Sequence, residues 1–175
     1  MPNKTEIRIG GSGGQGVVLA AQILGKAAVL DGKNVLQTQA YGAEARGSLA
    51  KSEVIVSDAK INFPAVRKCD ILAAMNQEAL TVLLKDLKDT GLLIADSTNV
   101  TTIPETKAKV YKIPITEIAK GEFGEAIYAN MVLLGVLIKV TGLVSNSAVE
   151  RTIKDTVPEG TIENNIKAFQ KGIQL

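Results

Sequence analysis

Histidine is absent from this 175-residue chain, and cysteine occurs once, at position 69. Those two scarcities exclude much chemistry. A Ser-His-Asp or Cys-His nucleophile system needs an imidazole. A cubane iron–sulfur cluster takes four cysteine thiolates, and structural zinc takes four Cys/His ligands. The chain can build neither by itself, so no metal site and no catalytic residue is assigned to it. A lone cysteine makes no intrachain disulfide, as expected in a reducing cytoplasm. Cys69 stands directly before an apolar run and reads as a small buried hydrophobe.

Aromatic residues are also scarce, 3% against 46% hydrophobic, so the core must be aliphatic and alanine-rich. Neither charge sign dominates: 20 basic and 18 acidic residues leave +2. That is no field for nucleic acid or a membrane surface. The longest strongly apolar run, 131–140, falls far short of the roughly 20 residues of a membrane-spanning helix. The N-terminal apolar stretch is too short for a secretion signal. With no repeat, low-complexity tract or linker, residues 1–175 read as one domain.

What is present alternates strands with helices. Residues 6–9 predict a strand running into the glycine cluster 10–16, and 17–30 a mostly buried helix. A turn at Gly32 and Lys33 leads to a second strand over 34–38, completing a βαβ unit. Residues 51–57 alternate polar and apolar, a half-buried strand reached without an intervening helix. A buried strand at 70–74 precedes an amphipathic helix over 77–89, with leucines at 80, 83, 84 and 87 and Gly91 as its left-handed cap. Strands at 92–95 and 109–113 follow, then a helical turn at 115–120 and a long apolar helix over 126–140. Ser147 with Glu150 forms a capping-box pattern for the next helix, and Gly160 and Thr161 set off a last amphipathic helix. The fold class is α/β: three layers, Rossmann-like, with a mostly parallel sheet that leaves room for an antiparallel strand.

Gly11, Gly13, Gly14, Gln15 and Gly16 satisfy a G-x-G-x-x-G spacing between a strand and a helix. Such a loop lets helix N-terminal amides point at a phosphate or carboxylate. Dinucleotide sites add a carboxylate at the end of the second strand. Here that strand ends Leu36-Gln37-Thr38-Gln39, and Asp31 belongs at the wrong end of the sheet. The loop therefore reads as tight strand–helix packing, as an interface, or as an anion contact shared with another subunit. A second candidate, Tyr41, Gly42, Glu44, Arg46 and Gly47, follows the second strand and falls at the same rim. Arg46 could fork onto a carboxylate or phosphate, or this could be a solvated loop with a weak surface pair. Asp96, Ser97, Thr98 and Asn99 close a further buried strand at that rim, as hydroxyl donors or turn caps. Asn130 reads as a functional amide or a satisfied buried polar group.

Ile9-Gly10-Gly11-Ser12-Gly13-Gly14-Gln15-Gly16, together with Gln39-Ala40-Tyr41-Gly42-Ala43-Glu44-Ala45-Arg46-Gly47-Ser48 and Lys51-Ser52-Glu53-Val54, resembles the gamma subunit of 2-oxoacid:ferredoxin oxidoreductases, the pyruvate/ketoisovalerate family. Asn130-Met131 and Leu134-Gly135 extend the likeness over nearly the whole chain. The tyrosine–glycine form is most similar to the 2-oxoglutarate type. That form usually has proline before the glutamate and two glycines after the arginine, where this chain has Ala43 and Ser48.

The resemblance implies CoA-dependent oxidative decarboxylation of a 2-oxoacid to acyl-CoA, carbon dioxide and reduced ferredoxin. It implies alpha and beta partner subunits, with or without a delta, and contact with ferredoxin through the complex. Thiamine diphosphate, magnesium and iron–sulfur clusters would then belong to the partners, and no cofactor to this chain alone. The glycine loop and the Tyr41, Glu44, Arg46 loop would face partner subunits or the coenzyme A channel. Two alternatives stay open: a small subunit of a related indolepyruvate or branched-chain enzyme, and a free-standing dinucleotide-binding protein. Apolar surface shaped for partners can also pair with itself, so a homodimer of the isolated chain is compatible with this reading.

Overall fold

The computed structural model describes residues 4–42 and 48–175. Six strands form one sheet in the order β2-β3-β1-β4-β5-β6. They are β1 (Lys4–Ser12), β2 (Asn34–Tyr41), β3 (Leu49–Ser57), β4 (Cys69–Ala74), β5 (Leu87–Asp96) and β6 (Lys109–Ile113). The helices are α1 (Val17–Leu30), α2 (Gln77–Leu83), α3 (Ile115–Phe123), α4 (Ala129–Thr141), α5 (Asn146–Thr156) and α6 (Ile162–Gln174). Strands β1, β4, β5 and β6 are parallel, whereas β3 runs antiparallel to both β1 and β2. The expected α/β sheet with an antiparallel strand is what forms.

Two apolar clusters, one on each face, explain the aliphatic composition. On one face Ile7, Ile9, Val54 and Val56 meet α1 and the helices from α3 onward. On the other, Ile55, Leu72 and Leu93 meet Ala79, Leu80 and Leu83 of α2. Coverage of both faces corrects the half-buried reading of β3. Val54, Ile55 and Val56 are all buried, and so is Glu53. Its alternation reports two different partners, since Glu53 faces Arg8 rather than water.

Arg8 is 3% exposed and lies opposite Glu53 in the β1–β3 register. Its Nε and Nη2 donate to Glu53 Oε1 at 2.9 and 2.6 Å, Nη1 to Asp86 at 2.7 Å, and Nη2 also to the Val66 carbonyl at 2.8 Å. Burial pushes the Glu53 carboxyl up, but hydrogen bonds and charge from Lys51 and Arg8 outweigh it and hold the group below its usual 4.5.

The expected helix over 77–89 is corrected. α2 stops at Leu83, a 3-10 turn spans Leu84–Asp86, and Leu87 already belongs to β5 opposite Cys69. The leucine spacing satisfied a helical period, yet the Arg8–Asp86 bond draws the turn under the sheet and tertiary pairing overrides the period. Gly91 caps nothing. It lies inside β5, where a Cβ would stand 2.8 Å from the Asp70 carbonyl, within an irregular step between Cys69↔Leu87 and Ile71↔Leu92. The next cap also moves: Ser145, not Ser147, accepts from the Ala148 amide and starts α5. Glu150 accepts from Gln170 of α6 instead of closing a capping box.

Helices α4 and α6 touch backbone to backbone. A Cβ at Gly135 would lie 2.8 Å from Gly172 Cα and would collide with the Phe169 carbonyl. Gly135→Ala should therefore cost about 3 kcal/mol, read as a lower urea midpoint at unchanged m-value. The Glu53 carboxyl makes a second expectation. Because its folded pKa is depressed, its contribution is full above the unfolded value and is lost as pH falls through the folded one. Acid titration of stability below pH 4.5 should show this loss, and Glu53→Gln should flatten that part of the curve.

Candidate functional site

The parallel strands, with β2, end at one rim, and antiparallel β3 begins there. The rim crevice opens between β1 and β4. There the chain order reverses, since β1 continues through α1 toward β2 on one side while β4 lies on the other. Open α/β sheets place ligands at this kind of switch point.

The glycine segment divides into three parts. Gly11 is a strand residue, and a Cβ on it would stand 2.8 Å from Gln15 Oε1 and 2.9 Å from Val17 Cγ2. Its role is close packing of β1 against α1. Gly14 turns at φ +94° with open space where a side chain would project. Gly16 N-caps α1 in the left-handed region at φ +71°. A Cβ on it would lie 2.7 Å from Asn130 Cγ, so α4 can start against the turn only because residue 16 has no side chain.

Most of the turn's amides are spent within the chain. Gln15 Oε1 accepts from the Ser12 amide at 2.7 Å, and Gly13 N donates to the Ser48 carbonyl at 3.0 Å. Gln15 N donates to the Ser12 carbonyl at 3.1 Å. The start of α1 remains available, having no side-chain cap and no acidic residue in its first turn. An anion fits there by charge and by donor chemistry.

Gln15 bolts this turn to the neighbouring strand end. Its Nε2 donates to the Met75 carbonyl, and Asn76 Nδ2 donates to both Ser12 Oγ and Gln15 Oε1. Asn76 in turn caps α2 by accepting from the Ala79 amide at 2.8 Å. The sequence reading missed Asn76, although an Asn between an apolar strand and an Ala/Leu-rich helix is a legible N-cap signal.

Next to the turn lies a cavity of about 200 Å³ lined by Gly14, Gln15, Met75, Thr116, Ala126 and Ile127, with Ala129. Thr116 reaches it because Asp96, fully buried at the end of β5, accepts from the Thr116 amide and hydroxyl. Asp96 also accepts from the Thr98 amide and the Asn99 side chain. Thr98 Oγ1 accepts from the Glu117 amide, so this segment serves as a cap for α3. Asn130, 2% exposed, donates to the Gly16 carbonyl at 3.2 Å, while its Oδ1 has no partner among the described residues. The reading of a satisfied polar group is met for its donor and not for its acceptor.

Tyr41 and Gly42 stand at this rim. Gly42 N donates to the Leu49 carbonyl, and Tyr41 is 61% exposed. Glu44, Arg46 and Gly47 lie outside the described residues. The bond from Gly13 to Ser48 ties the glycine turn to the strand that follows them. Asp31 sits at the other end of the sheet, where it accepts from Ser145 N and Oγ. Cys69 is buried, and burial pushes its thiol up to about 11. The donor set of this chain does not fit an iron–sulfur cluster.

Residues 6–175 match the family described as pyruvate ferredoxin/flavodoxin oxidoreductase. The chain is 47% identical to 2-oxoglutarate synthase subunit KorC of Methanocaldococcus jannaschii, over 98% of this chain and 94% of that one. It is 34% identical to pyruvate synthase subunit PorC of Methanothermobacter marburgensis, over 93% and 92%. A crystal structure of the keto/oxoacid ferredoxin oxidoreductase gamma subunit from Geobacter sulfurreducens superposes with a TM-score of 0.87 at 43% identity, covering 97% of this chain and 96% of that one.

The Gln15 bolt generates a measurable expectation. Gln15→Ala leaves the Ser12 amide and the Met75 carbonyl without their partner, at a cost of about 2 kcal/mol. Hydrogen exchange at Ser12 should accelerate while exchange in α6 stays near wild type. With this geometry and these likenesses together, the chain belongs to the pyruvate ferredoxin/flavodoxin oxidoreductase family.

Proposed function

We propose that this chain is the gamma subunit of a 2-oxoglutarate:ferredoxin oxidoreductase, which converts a 2-oxoacid and CoA to acyl-CoA and carbon dioxide while reducing ferredoxin. The subunit likenesses at 47% and 34% identity put 2-oxoglutarate ahead of pyruvate. One observation carries the division of labour. The rim is built of glycine, amide and hydroxyl groups, and the chain has one inert thiol and no imidazole to act as nucleophile or redox carrier. On this reading residues 1–175 act as one domain within an assembly of alpha and beta chains. Those chains hold thiamine diphosphate, magnesium and the iron–sulfur clusters, and ferredoxin meets the assembly there.

The residues of this chain bind and orient. The uncapped start of α1 and the open space over Gly14 receive an anionic group such as a CoA phosphate. Coenzyme A, when bound, supplies the thiol that takes the acyl group. Asp96 positions Thr116 at the cavity wall, and Gln15 keeps the turn from opening. On the family likeness, Tyr41, Glu44 and Arg46 meet a partner chain, with the Arg46 guanidinium suited to a partner carboxylate or a phosphate. The assembly works in the cytoplasm, where a single unpaired thiol is stable.

Co-expression with the alpha and beta chains, followed by a 2-oxoacid panel with viologen dye, tests this reading. 2-Oxoglutarate should give the highest turnover. Gly14→Val, which forces a β-branched side chain to a left-handed φ and fills the open space, should raise the KM for CoA at least tenfold. Arg46→Ala should reduce either co-purification or acyl-CoA formation by a similar factor. Unchanged CoA kinetics, assembly and turnover in both variants would remove the rim from the function.

A further inference from the structure

The two edges of the sheet are guarded differently. Edge strand β6 reads Lys109-Val110-Tyr111-Lys112-Ile113 and is followed by Pro114. Lysine and proline are the residues that keep a strand edge from pairing with another chain. Edge strand β2 reads Asn34-Val35-Leu36-Gln37-Thr38-Gln39-Ala40-Tyr41, with no charge and no proline. Its eight residues pair with β3 throughout without a bulge, and no other described strand lies on its far side.

Backbone alternation shows which groups are open. Gly42 N bonds the Leu49 carbonyl, so the even-numbered residues of β2 turn their backbone groups toward β3. The Thr38 carbonyl agrees, since it accepts from Ser52 Oγ on β3. Antiparallel pairing alternates strictly, which leaves the N–H and C=O groups of Val35, Gln37, Gln39 and Tyr41 facing outward.

These four residues are self-complementary about Thr38. In an antiparallel pair of two copies, Val35 falls opposite the other copy's Tyr41, and Gln37 opposite its Gln39. Every outward group then finds a partner with no overhang. The side chains agree. A groove of about 430 Å³ on the α1 side is lined by Gln22, Gly25, Lys26, Val29, Val35 and Gln37. Val29 is 58% exposed and Tyr41 61% exposed. Strand periodicity puts Tyr41 on the same face as Val35, so Tyr41 of one copy lies over the groove of the other. Knob and groove stand at opposite ends of one strand, the arrangement that a twofold axis requires.

We propose that two copies of this chain pair through β2, Thr38 against Thr38, to make one continuous twelve-stranded sheet. The occupant of the edge is a second copy, because an uncharged strand with opposed glutamines and a tyrosine matched to its own groove is complementary to itself. This rests on the strand alone and stands or falls separately from the 2-oxoglutarate reading.

The test uses the full chain. Sedimentation equilibrium should give twice the chain mass. A central pair that is not hydrogen-bonded sets Cα atoms about 4.5 Å apart, within disulfide range. Thr38→Cys should therefore form a covalent dimer on mild oxidation, Cys69 being buried. Gln37→Lys with Gln39→Lys sets like charges opposite each other and should weaken association at least tenfold. Gln37→Glu with Gln39→Lys sets opposite charges there and should restore it, which separates the interface from a folding defect. A wild-type chain monomeric at every concentration overturns the proposal. So does failure of Thr38→Cys to crosslink, or a dimer indifferent to the lysine pair.

Discussion

The antiparallel course of β3 is the constraint on which the rest of this molecule depends. In a plain βαβ arrangement the chain leaving β2 would return across a helix and begin its next strand at the far end of the sheet. Here it turns back within the short stretch 42–48 and enters β3 between β1 and β2. Ser48, which leads into β3, thereby lies at the same rim as the glycine turn, and its carbonyl accepts from the Gly13 amide. The same insertion sets Glu53 opposite Arg8, so one topological choice joins the rim and fills the sheet's most polar buried position. A buried guanidinium is tolerated only when its donors are met. Glu53, Asp86 and the Val66 carbonyl meet them, which ties β1, β3 and the turn after α2 into one unit.

That network also explains what the sequence could and could not reveal. Local patterns were legible wherever one partner dictated them. Strand β6 and helix α1 fall where residue spacing puts them, whereas β1 runs past its expected end through Gly10 and Gly11 to Ser12 and leaves the turn to residues 13–16. The antiparallel strand was visible as a strand without a preceding helix. Failures occur where a distant group decides. The leucines at 80, 83, 84 and 87 keep a helical period, but only the fold reveals that Arg8 draws Asp86 beneath the sheet and sends Leu87 into β5. Gly91 looked like a cap because a glycine after leucines usually is one. The structure needs it for the approach of the Asp70 carbonyl. The shift of the α5 cap to Ser145 has the same origin, since Asp31 at the end of α1 holds Ser145 and fixes where α5 starts.

The site was legible as a location but not as a set of bonds. The reading of strand ends put Gly11 to Gly16, Tyr41 and Asp96 at one rim and left Asn130 open between a functional amide and a buried polar group. It could not show that Gln15 and Ser48 consume the amides of Ser12 and Gly13, which leaves the start of α1 as the uncapped part of the turn. Nor could it show the half-satisfied state of Asn130. A carboxamide has donors and an acceptor of similar outline, and which of them finds a partner depends on the approach of Gly16 to α4. That approach exists because Gly16 has no Cβ, so a conformational property of one residue decides the hydrogen-bonding state of another 114 positions away.

The chemistry of the rim and the asymmetry of the sheet edges both bear on how this chain can meet another chain. A chain that performs chemistry alone must enclose it, and enclosure leaves an outer surface that avoids contact. Here the one thiol is buried within β4, and the described residues of the rim offer amides, hydroxyls, the buried Asp96 carboxylate and an exposed tyrosine. Of its buried carboxylates, Glu53 faces Arg8, Glu6 faces Lys88, and Asp96 accepts from Thr98, Asn99 and Thr116. The surface that remains is therefore free to be shaped by partners. One sheet edge bears lysines and a following proline, as for a solvent-facing edge, and the other bears none. A neutral, unbroken eight-residue edge is an aggregation hazard in a solitary protein, and it is tolerable only where a partner of defined geometry occupies it. The uncharged β2 edge and the lysine-bearing β6 edge thus differ in how readily each could take another strand.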